Sequence, residues 1–291
     1  VLTAVLLCSV GLIVNVIATA GIGNTFSLMI TDWAGGNLFI AIVLVALASL
    51  VLGMGLPVTA AYIVLGTLSA PALTQLILQS QLTDLIVQGA VPETAHAFFM
   101  LAAPDAVAQL AAPMAAADAR ALVDALPPEM LNPIFEGSLA PAALTAALLS
   151  AHMIVFWLSQ DSNVTPPVCL AAFTAAAIAG SPAMRTGFAA WKIAKGLYFV
   201  PLLFAYTGLL GGDWLTMIEI WFFALFGLWA VGAAIEGYWE HKLNPIARLA
   251  VLIVGVTLMW PLGPVVHSVA LVVFFGLFFL NLRSGRVTDR L

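Results

Sequence analysis

Charge is scarce in this sequence of 291 residues. Only 8% of the residues are Asp, Glu, Lys or Arg, whereas 63% are hydrophobic and the mean hydropathy is +1.11. A water-soluble fold needs more polar surface than this to cover itself, so a soluble globular protein is excluded. The bilayer is therefore expected to be the solvent for most of the chain.

Cysteines are few, and no basic segment precedes the first apolar run. Cys8 and Cys169 both lie in apolar runs, where a small buried side chain is more typical than a disulfide, so redox chemistry is not expected. The sequence has no initiating Met and no basic segment before its first apolar run, Val1 to Gly23. We therefore expect the chain to be a piece of a longer protein.

Long uncharged runs are what the sequence has in abundance. Crossing about 30 Å of hydrocarbon takes roughly 20 helical residues. Several runs meet or approach this length, and only one of them holds a charge, Glu219. These runs are Val1 to Gly21, Gly196 to Leu210, Leu215 to Ile235, Leu249 to Trp260 and Val265 to Leu282. The predicted fold class is all-α, a polytopic membrane protein.

The basic residues predict the orientation, because cytoplasmic loops collect Lys and Arg. Eight of the nine basic residues form three clusters, and the ninth, Arg120, lies in residues 76–143. Each cluster is separated from the next by an even number of expected crossings: Arg185, Lys192 and Lys195; Lys242 and Arg248; Arg283, Arg286 and Arg290. All three clusters, and so the basic C-terminus, are predicted to be cytoplasmic. The acidic residues 76–143 are placed outside, where short amphipathic helices or a small cap are favoured and disorder is the alternative.

The first interrupted run extends from Asn37 to Ser69 without a charge. It is too long for one crossing and too short for two with a connection. Gly53-Met54-Gly55-Leu56-Pro57 interrupts it, so two half-length helices, about Leu38 to Leu52 and Val58 to Ser69, are predicted to meet near the bilayer centre. We expect a re-entrant helical hairpin whose irregular tip, residues 53–59, faces protein or a watery cavity.

The second interruption is Asp161-Ser162-Asn163-Val164-Thr165-Pro166-Pro167, between the apolar runs Leu144 to Leu158 and Val168 to Ala179. Two consecutive prolines remove two amide donors and disfavour helix in the residue before them. This predicts a broken transmembrane helix with freed carbonyls. Ser162, Asn163 and Thr165 add side-chain oxygens, and Asp161 is the one acid of an otherwise uncharged run, which makes it a functional candidate.

Paired breaks of this kind indicate a transport site. A hard cation such as sodium takes several oxygen ligands, which the carbonyl end of one half-helix supplies, while the N-terminus of the next half-helix favours an anion. The alternative is that each break is only a kink in a membrane helix and has no role in transport. His152 lies in the first half of the second pair and is either on the transport pathway or packed against a neighbouring helix.

Longer motifs around the two breaks resemble a known family. They are Gly35-Gly36-Asn37-Leu38-Phe39, Leu52 through Ile63, Ser69-Ala70-Pro71-Ala72-Leu73, Ser162 through Val168, Ala171-Ala172-Phe173, Ile178-Ala179-Gly180 and Arg185-Thr186-Gly187. The sequence resembles the large membrane subunit of TRAP (tripartite ATP-independent periplasmic) transporters, particularly the fused-permease branch. The resemblance covers about Val1 to Gln75 and Leu144 to Leu210, with a weaker match to the end.

The resemblance implies one half of an inverted-repeat, elevator-type transporter, in which each half has a re-entrant hairpin followed by a broken helix. This chain resembles the C-terminal half. We accordingly divide it into residues 1–75 (a transmembrane helix and the hairpin), 76–143 (the acidic insertion), 144–212 (the broken helix and the following span) and 213–291 (the C-terminal membrane helices).

The resemblance also implies the site residues. Gly53, Gly55, Pro57, Thr59, Asn163 and Thr165 would line a sodium site, and Ser162 to Pro166 would be the unwound point that faces the hairpin tip. The substrate pathway is assigned to Ser162, Pro166, Asp161 and His152. Two departures stand out: residues 76–143 replace a short connection, and Asn163 stands where relatives often carry Asp.

The function expected is therefore not enzymatic. The resemblance implies the permease subunit of a sodium-coupled secondary transporter in the bacterial inner membrane. It would import an organic acid, such as a C4-dicarboxylate or an oxo acid, that a periplasmic binding protein delivers. The partners implied are that protein, the lipid bilayer, a first-half repeat and a small membrane subunit, the last two fused upstream. No cofactor besides Na+, no other metal site and no nucleic acid are expected.

Two rival functions stay open at this point. An intramembrane hydrolase needs a buried nucleophile and base, and the sequence has no Gly-x-Ser-x-Gly, no His-Glu-x-x-His and no paired aspartates in its spans. A purely structural membrane subunit needs none of the polar residues at the breaks.

Overall fold

The computed structural model describes residues 2–54, 56–167 and 169–288, and these residues form α-helices, 3₁₀ turns and loops without a β-strand. The α-helices are α1 (Leu2–Thr19), α2 (Ile22–Ala34), α3 (Leu38–Gly53), α4 (Val58–Gln88), α5 (Glu93–Ala102), α6 (Ala116–Asp124), α7 (Pro128–Ser138), α8 (Pro141–Ser159), α9 (Leu170–Ala179), α10 (Ala183–Ile193), α11 (Gly196–Tyr206), α12 (Trp214–Glu236), α13 (Pro245–Met259) and α14 (Pro264–Thr288).

Among the described residues, five helical segments are long and apolar enough to cross a membrane: Val58–Gln88, Pro141–Asn163, Ala183–Tyr206, Trp214–Glu236 and Pro264–Arg283. A sixth span is possible by length if Cys8–Thr19 and Ile22–Ala34, bent by 70° at their junction, form one broken helix. Shorter apolar helices, such as Leu38–Gly53 and Leu170–Ala179, accompany them. The prediction of an all-α polytopic membrane protein is confirmed.

The chain forms two compact units, Val1–Ser159 and Gln160–Leu291. The first unit is built around α4, which packs against α1, α2, α3, α6, α7 and α8. Leu65, Leu73 and Leu82 of α4 are fully buried there. The predicted four-part division of the sequence stays a prediction; its boundary after residue 75 lies within α4.

The bend after α1 was missed by the sequence analysis, which ended the first helix at Gly21 and left the next residues unassigned. Gly21 takes a left-handed conformation, with φ of 69°, and α2 begins at the following residue. That conformation is open to glycine at little cost, and it turns the chain between the two helices. Helix α2 then runs back along α4.

The predicted helical pair of the hairpin is present, but its second helix is longer than expected. Helix α3 begins where the Asn37 side chain accepts hydrogen bonds from the amides of Phe39 and Ile40, and it ends at Gly53. Helix α4 does not end at Ser69 and instead continues to Gln88, with Pro71 in its interior. Whether the pair re-enters the membrane stays a prediction.

Pro71 lies in the interior of α4, near the point where α2 packs against that helix. A proline there leaves the carbonyl four residues earlier, that of Thr67, without its helical donor. Helix α2 packs closely at this point: the Ser27 hydroxyl donates to the Leu68 carbonyl at 2.8 Å. Gly23 faces the Thr67 carbonyl, which would lie 3.3 Å from a Cβ at that position.

Residues 76–143 are ordered into helices, so the alternative of disorder is wrong for the described chain. After the last turns of α4 come α5, α6 and α7, of which α5 packs on α7 and α6 packs on α4. Arg120 of α6 forms an ion pair with Asp124 at 3.0 Å and donates to the carbonyl of Gly36, in the loop between α2 and α3. The acidic segment is therefore fastened to the base of the hairpin.

In the second unit, α12, α13 and α14 pack together around Phe274, Val251 and Leu258. His267 is buried on α14. Its Nδ1 lies 3.2 Å from Oε1 of Glu219 and its Nε2 lies 2.8 Å from the Trp260 carbonyl. Glu219, the charged residue of the run Leu215 to Ile235, is thus paired with a side chain of a neighbouring helix.

Candidate functional site

The hairpin tip lies between Gly53, which ends α3, and Val58, which begins α4. Gly53 is buried, whereas Pro57 and Thr59 are exposed. Gly55 lies outside the described residues. The amide of Ala61 donates to the Pro57 carbonyl at 2.9 Å, and no side chain caps the helix start. The described tip therefore offers the free amide end of α4 and a hydroxyl on its first turn.

The hairpin is tied to the helix that precedes the second break. The hydroxyl of Ser49, one turn before the tip, donates to the Leu158 carbonyl at 3.2 Å and to the Ala46 carbonyl at 2.7 Å. Ser49 is completely buried, and Leu158 is next to the last residue of α8. The carbonyl end of α8 is thus held beside the last turn of α3.

His152 lines a cavity of about 650 Å³ between α4, α7 and α8. Its Nδ1 is 3.2 Å from the Tyr62 hydroxyl, and the imidazole lies against Gly66, where an added Cβ would be 3.7 Å from Nδ1. Thr67, Gln75 and Asn132 add polar groups to the same wall. His152 therefore faces a cavity, as its assignment to the pathway requires, and that assignment stays a prediction.

The second break occurs where the two prolines predict it. Helix α8 ends at Ser159, Asp161–Asn163 form one 3₁₀ turn, and α9 begins at Leu170. The backbone carbonyl of Asp161 accepts the amides of Val164 and Thr165, at 3.1 and 2.9 Å. These bonds fold the break into a compact turn. Val168 lies outside the described residues.

Thr165 is held by a chain of hydrogen bonds within the second unit. Its hydroxyl lies 3.0 Å from that of Tyr198 on α11, and the indole N–H of Trp191 on α10 donates to the Tyr198 oxygen at 3.1 Å. An indole N–H only donates, so one Tyr198 lone pair is occupied and its proton is available to Thr165. Thr165 then keeps a lone pair for a cation.

Asp161 is fully buried at the same turn, and neither of its carboxylate oxygens has a hydrogen-bond partner among the described residues. Ser162 is buried beside it, and Asn163, Thr165 and Pro166 are half-buried. Pro167 has no amide to donate to the Asn163 carbonyl, as a continuing helix would. The turn therefore concentrates oxygen atoms at low solvent exposure.

The predicted sodium residues fall into two sets, one in each unit. Gly53, Pro57 and Thr59 lie together at the tip, and Asn163 and Thr165 lie together at the break. Sequence reasoning missed Ser49, Tyr62, Trp191 and Tyr198. Ser49 had a usable signal, because it is the one polar residue of α3; Tyr198 had none, since its role depends on a contact across 33 residues.

Interrupted apolar helices with oxygen atoms at the interruptions define a polytopic membrane transporter. Comparison with protein families gives the group: the family described as "Tripartite ATP-independent periplasmic transporter, DctM component" matches residues 1–211, and the chain belongs to it. Comparison with curated proteins and with solved structures gave no significant match. The family resemblance is thereby confirmed, while the C-terminal half and the fused branch stay predictions.

Two boundaries of this match are informative. It includes the acidic residues 76–143, which the motif resemblance had left out, and it ends one residue after Leu210. Helices α12 to α14 lie beyond it, in the region where the motif resemblance was already weaker. The chain is thus a TRAP permease subunit and an integral inner-membrane protein, with a C-terminal group of helices outside the matched region.

Proposed function

We propose that this TRAP permease subunit imports an organic acid anion, a carboxylate such as a C4-dicarboxylate or an oxo acid, together with sodium. The observation that carries the proposal is the turn at residues 161–167, where a helix stops within an apolar segment and brings buried oxygen atoms together. Irregular backbone at membrane depth is tolerated where it lines a site.

The oxygen atoms at the second break support the binding of a sodium ion. The Thr165 hydroxyl is positioned by Tyr198, and the Asn163 side chain lies in the same turn. Hydroxyl, amide and carbonyl oxygens are hard ligands suited to sodium. Gly53, Gly55, Pro57 and Thr59 of the hairpin tip are proposed to complete the ligand set, as the family resemblance implies.

The N-terminal ends of two helices support the binding of the substrate anion. Helices α4 and α9 both begin beside an interruption, and neither has a side-chain cap at its start. Free amides and the positive end of a helix dipole favour a carboxylate. We propose Asp161, Ser162, Pro166 and His152 for the substrate pathway, with the carboxylate bound at a helix start.

Membership in the family implies association with a periplasmic substrate-binding protein and a small membrane subunit. We propose that the binding protein delivers the substrate to the acidic side, where α5 to α7 lie, and that the basic C-terminus is cytoplasmic. Fusion of the small subunit and of a first-half repeat upstream is part of the same proposal. Membership in a transporter family favours transport over the hydrolase alternative.

Uptake by the complete permease in liposomes, with its binding protein, tests the proposal. Uptake of radiolabelled dicarboxylates and oxo acids should need an inward sodium gradient, and Thr165→Ala should reduce it. Thr174→Ala is the matched control, since Thr174 is exposed on α9 and bonds only within its own helix. Uptake indifferent to sodium would contradict the coupling. A purely structural subunit predicts that Asn163→Ala and Thr165→Ala both leave uptake intact.

A further inference from the structure

Asp161 is a buried acid that the assigned sodium residues do not include. It is fully buried, it follows α8 by two residues, and both carboxylate oxygens lack a hydrogen-bond partner among the described residues. Burying an ionised carboxylate without a partner is strongly unfavourable, so buried acids are paired, bind a cation or take up a proton. Asp161 therefore calls for a cation or a proton, and the residues around it decide between the two.

The surroundings of Asp161 suit a sodium ion. Its backbone carbonyl accepts the amide of Thr165 at 2.9 Å, which keeps the two residues within one turn, and the Tyr198 hydroxyl lies 3.0 Å from the Thr165 hydroxyl. The Asn163 carbonyl lies between them in sequence. It has no helical donor, because residue 167 is a proline without an amide N–H. One carboxylate, one hydroxyl and one carbonyl thus come from five consecutive residues.

We propose that the Asp161 carboxylate is a direct ligand, and the anionic one, of a sodium ion bound at this turn together with Thr165. The inference rests on the proposed sodium coupling and deepens it by naming the ligand that neutralises the ion. Trp191 and Tyr198 are positioning residues for Thr165. The binding site is then nearly neutral when occupied and negative when empty, which favours filling it before the substrate anion approaches.

Sodium binding to the complete purified permease, without substrate, tests this directly. Equilibrium binding of ²²Na⁺ and the rise in Tm on replacing choline chloride by sodium chloride are measured for the wild type and for Asp161→Asn. Asn keeps the shape and removes the charge. Loss of a group that only supports a metal ligand costs about 10- to 100-fold in metal affinity. Loss of the charge of a direct ligand should cost no less, so the half-saturating sodium concentration should rise at least about tenfold.

The sodium-free Tm separates a ligand from a structural residue. If Asp161 is a ligand, Asp161→Asn should leave the sodium-free Tm unchanged or raise it, because a buried unpaired charge has been removed. The sodium-induced rise in Tm should then be lost. A structural role predicts a lower Tm in both salts with the sodium-induced rise intact, which would overturn the proposal. Asp213→Asn is the matched control, since Asp213 is an exposed helix cap of the same unit.

The remaining outcomes are also decisive. Unchanged ²²Na⁺ binding in Asp161→Asn means that the carboxylate is not a sodium ligand, and it overturns the inference while leaving sodium coupling in place. A wild type that binds no sodium overturns both. If Asp161→Asn does not fold, Asp161→Glu keeps the charge and moves it by one methylene: weakened sodium binding supports the ligand role, and wild-type binding contradicts it.

Discussion

The hydroxyl of Ser49 donates a hydrogen bond to the carbonyl of Leu158, 3.2 Å away, and so joins the last turn of the hairpin's first helix to the last turn of α8. Both residues are buried. The bond spans 109 positions of the chain. It holds the carbonyl end of one half of the broken helix at a fixed place beside the hairpin.

Ser49→Ala should therefore lower the free energy of unfolding by about 1 kcal/mol, the usual worth of a buried hydrogen bond, because the Leu158 carbonyl loses a donor. Thermal unfolding in detergent measures it. Ser9→Ala is the matched control: the Ser9 hydroxyl is exposed and bonds within its own helix, to the Val5 carbonyl. Equal effects of the two changes would mean that the contact between helices contributes nothing.

Tyr198→Phe should raise the sodium concentration that half-saturates uptake, by roughly tenfold, as for other residues that support a metal ligand. The change removes only the oxygen that links Trp191 to Thr165. The KM for substrate at saturating sodium should stay near its wild-type value. Tyr238→Phe, at an exposed residue of the same unit, controls for the chemical change. A Tyr198→Phe permease with unaltered sodium dependence would argue against the positioning role.

Gly187→Ala should destabilise the second unit by about 1–3 kcal/mol, the usual cost of overpacking. A Cβ at Gly187 would lie 2.6 Å from the Cys169 sulfur and 3.5 Å from the Pro166 ring, so it presses on the break. Removing the sulfur should relieve the clash, and the double variant with Cys169→Ala should recover part of the loss. Gly232→Ala is the control, because nothing lies within 4 Å of its added Cβ. Additive effects of the two substitutions would refute the clash.

Arg120→Ala should speed hydrogen exchange in the loop at Gly35 to Asn37 and in α6, because it removes the contact that fastens the acidic segment to the hairpin base. Asp124→Asn removes the ion pair but leaves Arg120 able to reach the Gly36 carbonyl. It should therefore change exchange in the loop much less. Hydrogen exchange followed by mass spectrometry compares the two. If they expose the loop equally, the ion pair and not the carbonyl contact is what matters.

Much of the fold follows from the sequence because membrane helices are limited by apolar length. The starts of α3, α9 and α12, and the ends of α8 and α13, fall within one or two residues of the expected positions. The two breaks were predictable from Gly-x-Gly-x-Pro and Pro-Pro, since missing amides and flexible glycines act locally. The effects of these residues on the backbone can be predicted without knowing the rest of the fold.

What the sequence did not predict depends on partners distant in the chain. Helix α4 was expected to stop at Ser69, yet it continues through Pro71, where Ser27 and Gly23 of α2 pack against it. Asp161 was recognised as unusual from its position, but its lack of a side-chain partner is visible only in three dimensions. The same holds for the chain from Trp191 to Thr165.

Helix α4 also has a mechanical consequence. Its 31 residues make a rod about 46 Å long, with the hairpin tip at one end and the contacts of α6 and α7 farther along it. A displacement of the tip along the axis of α4 should therefore shift the helix against its contacts with α6 and α7 as well. A spectroscopic label on the exposed face of α6 would report such a displacement at a distance from the tip.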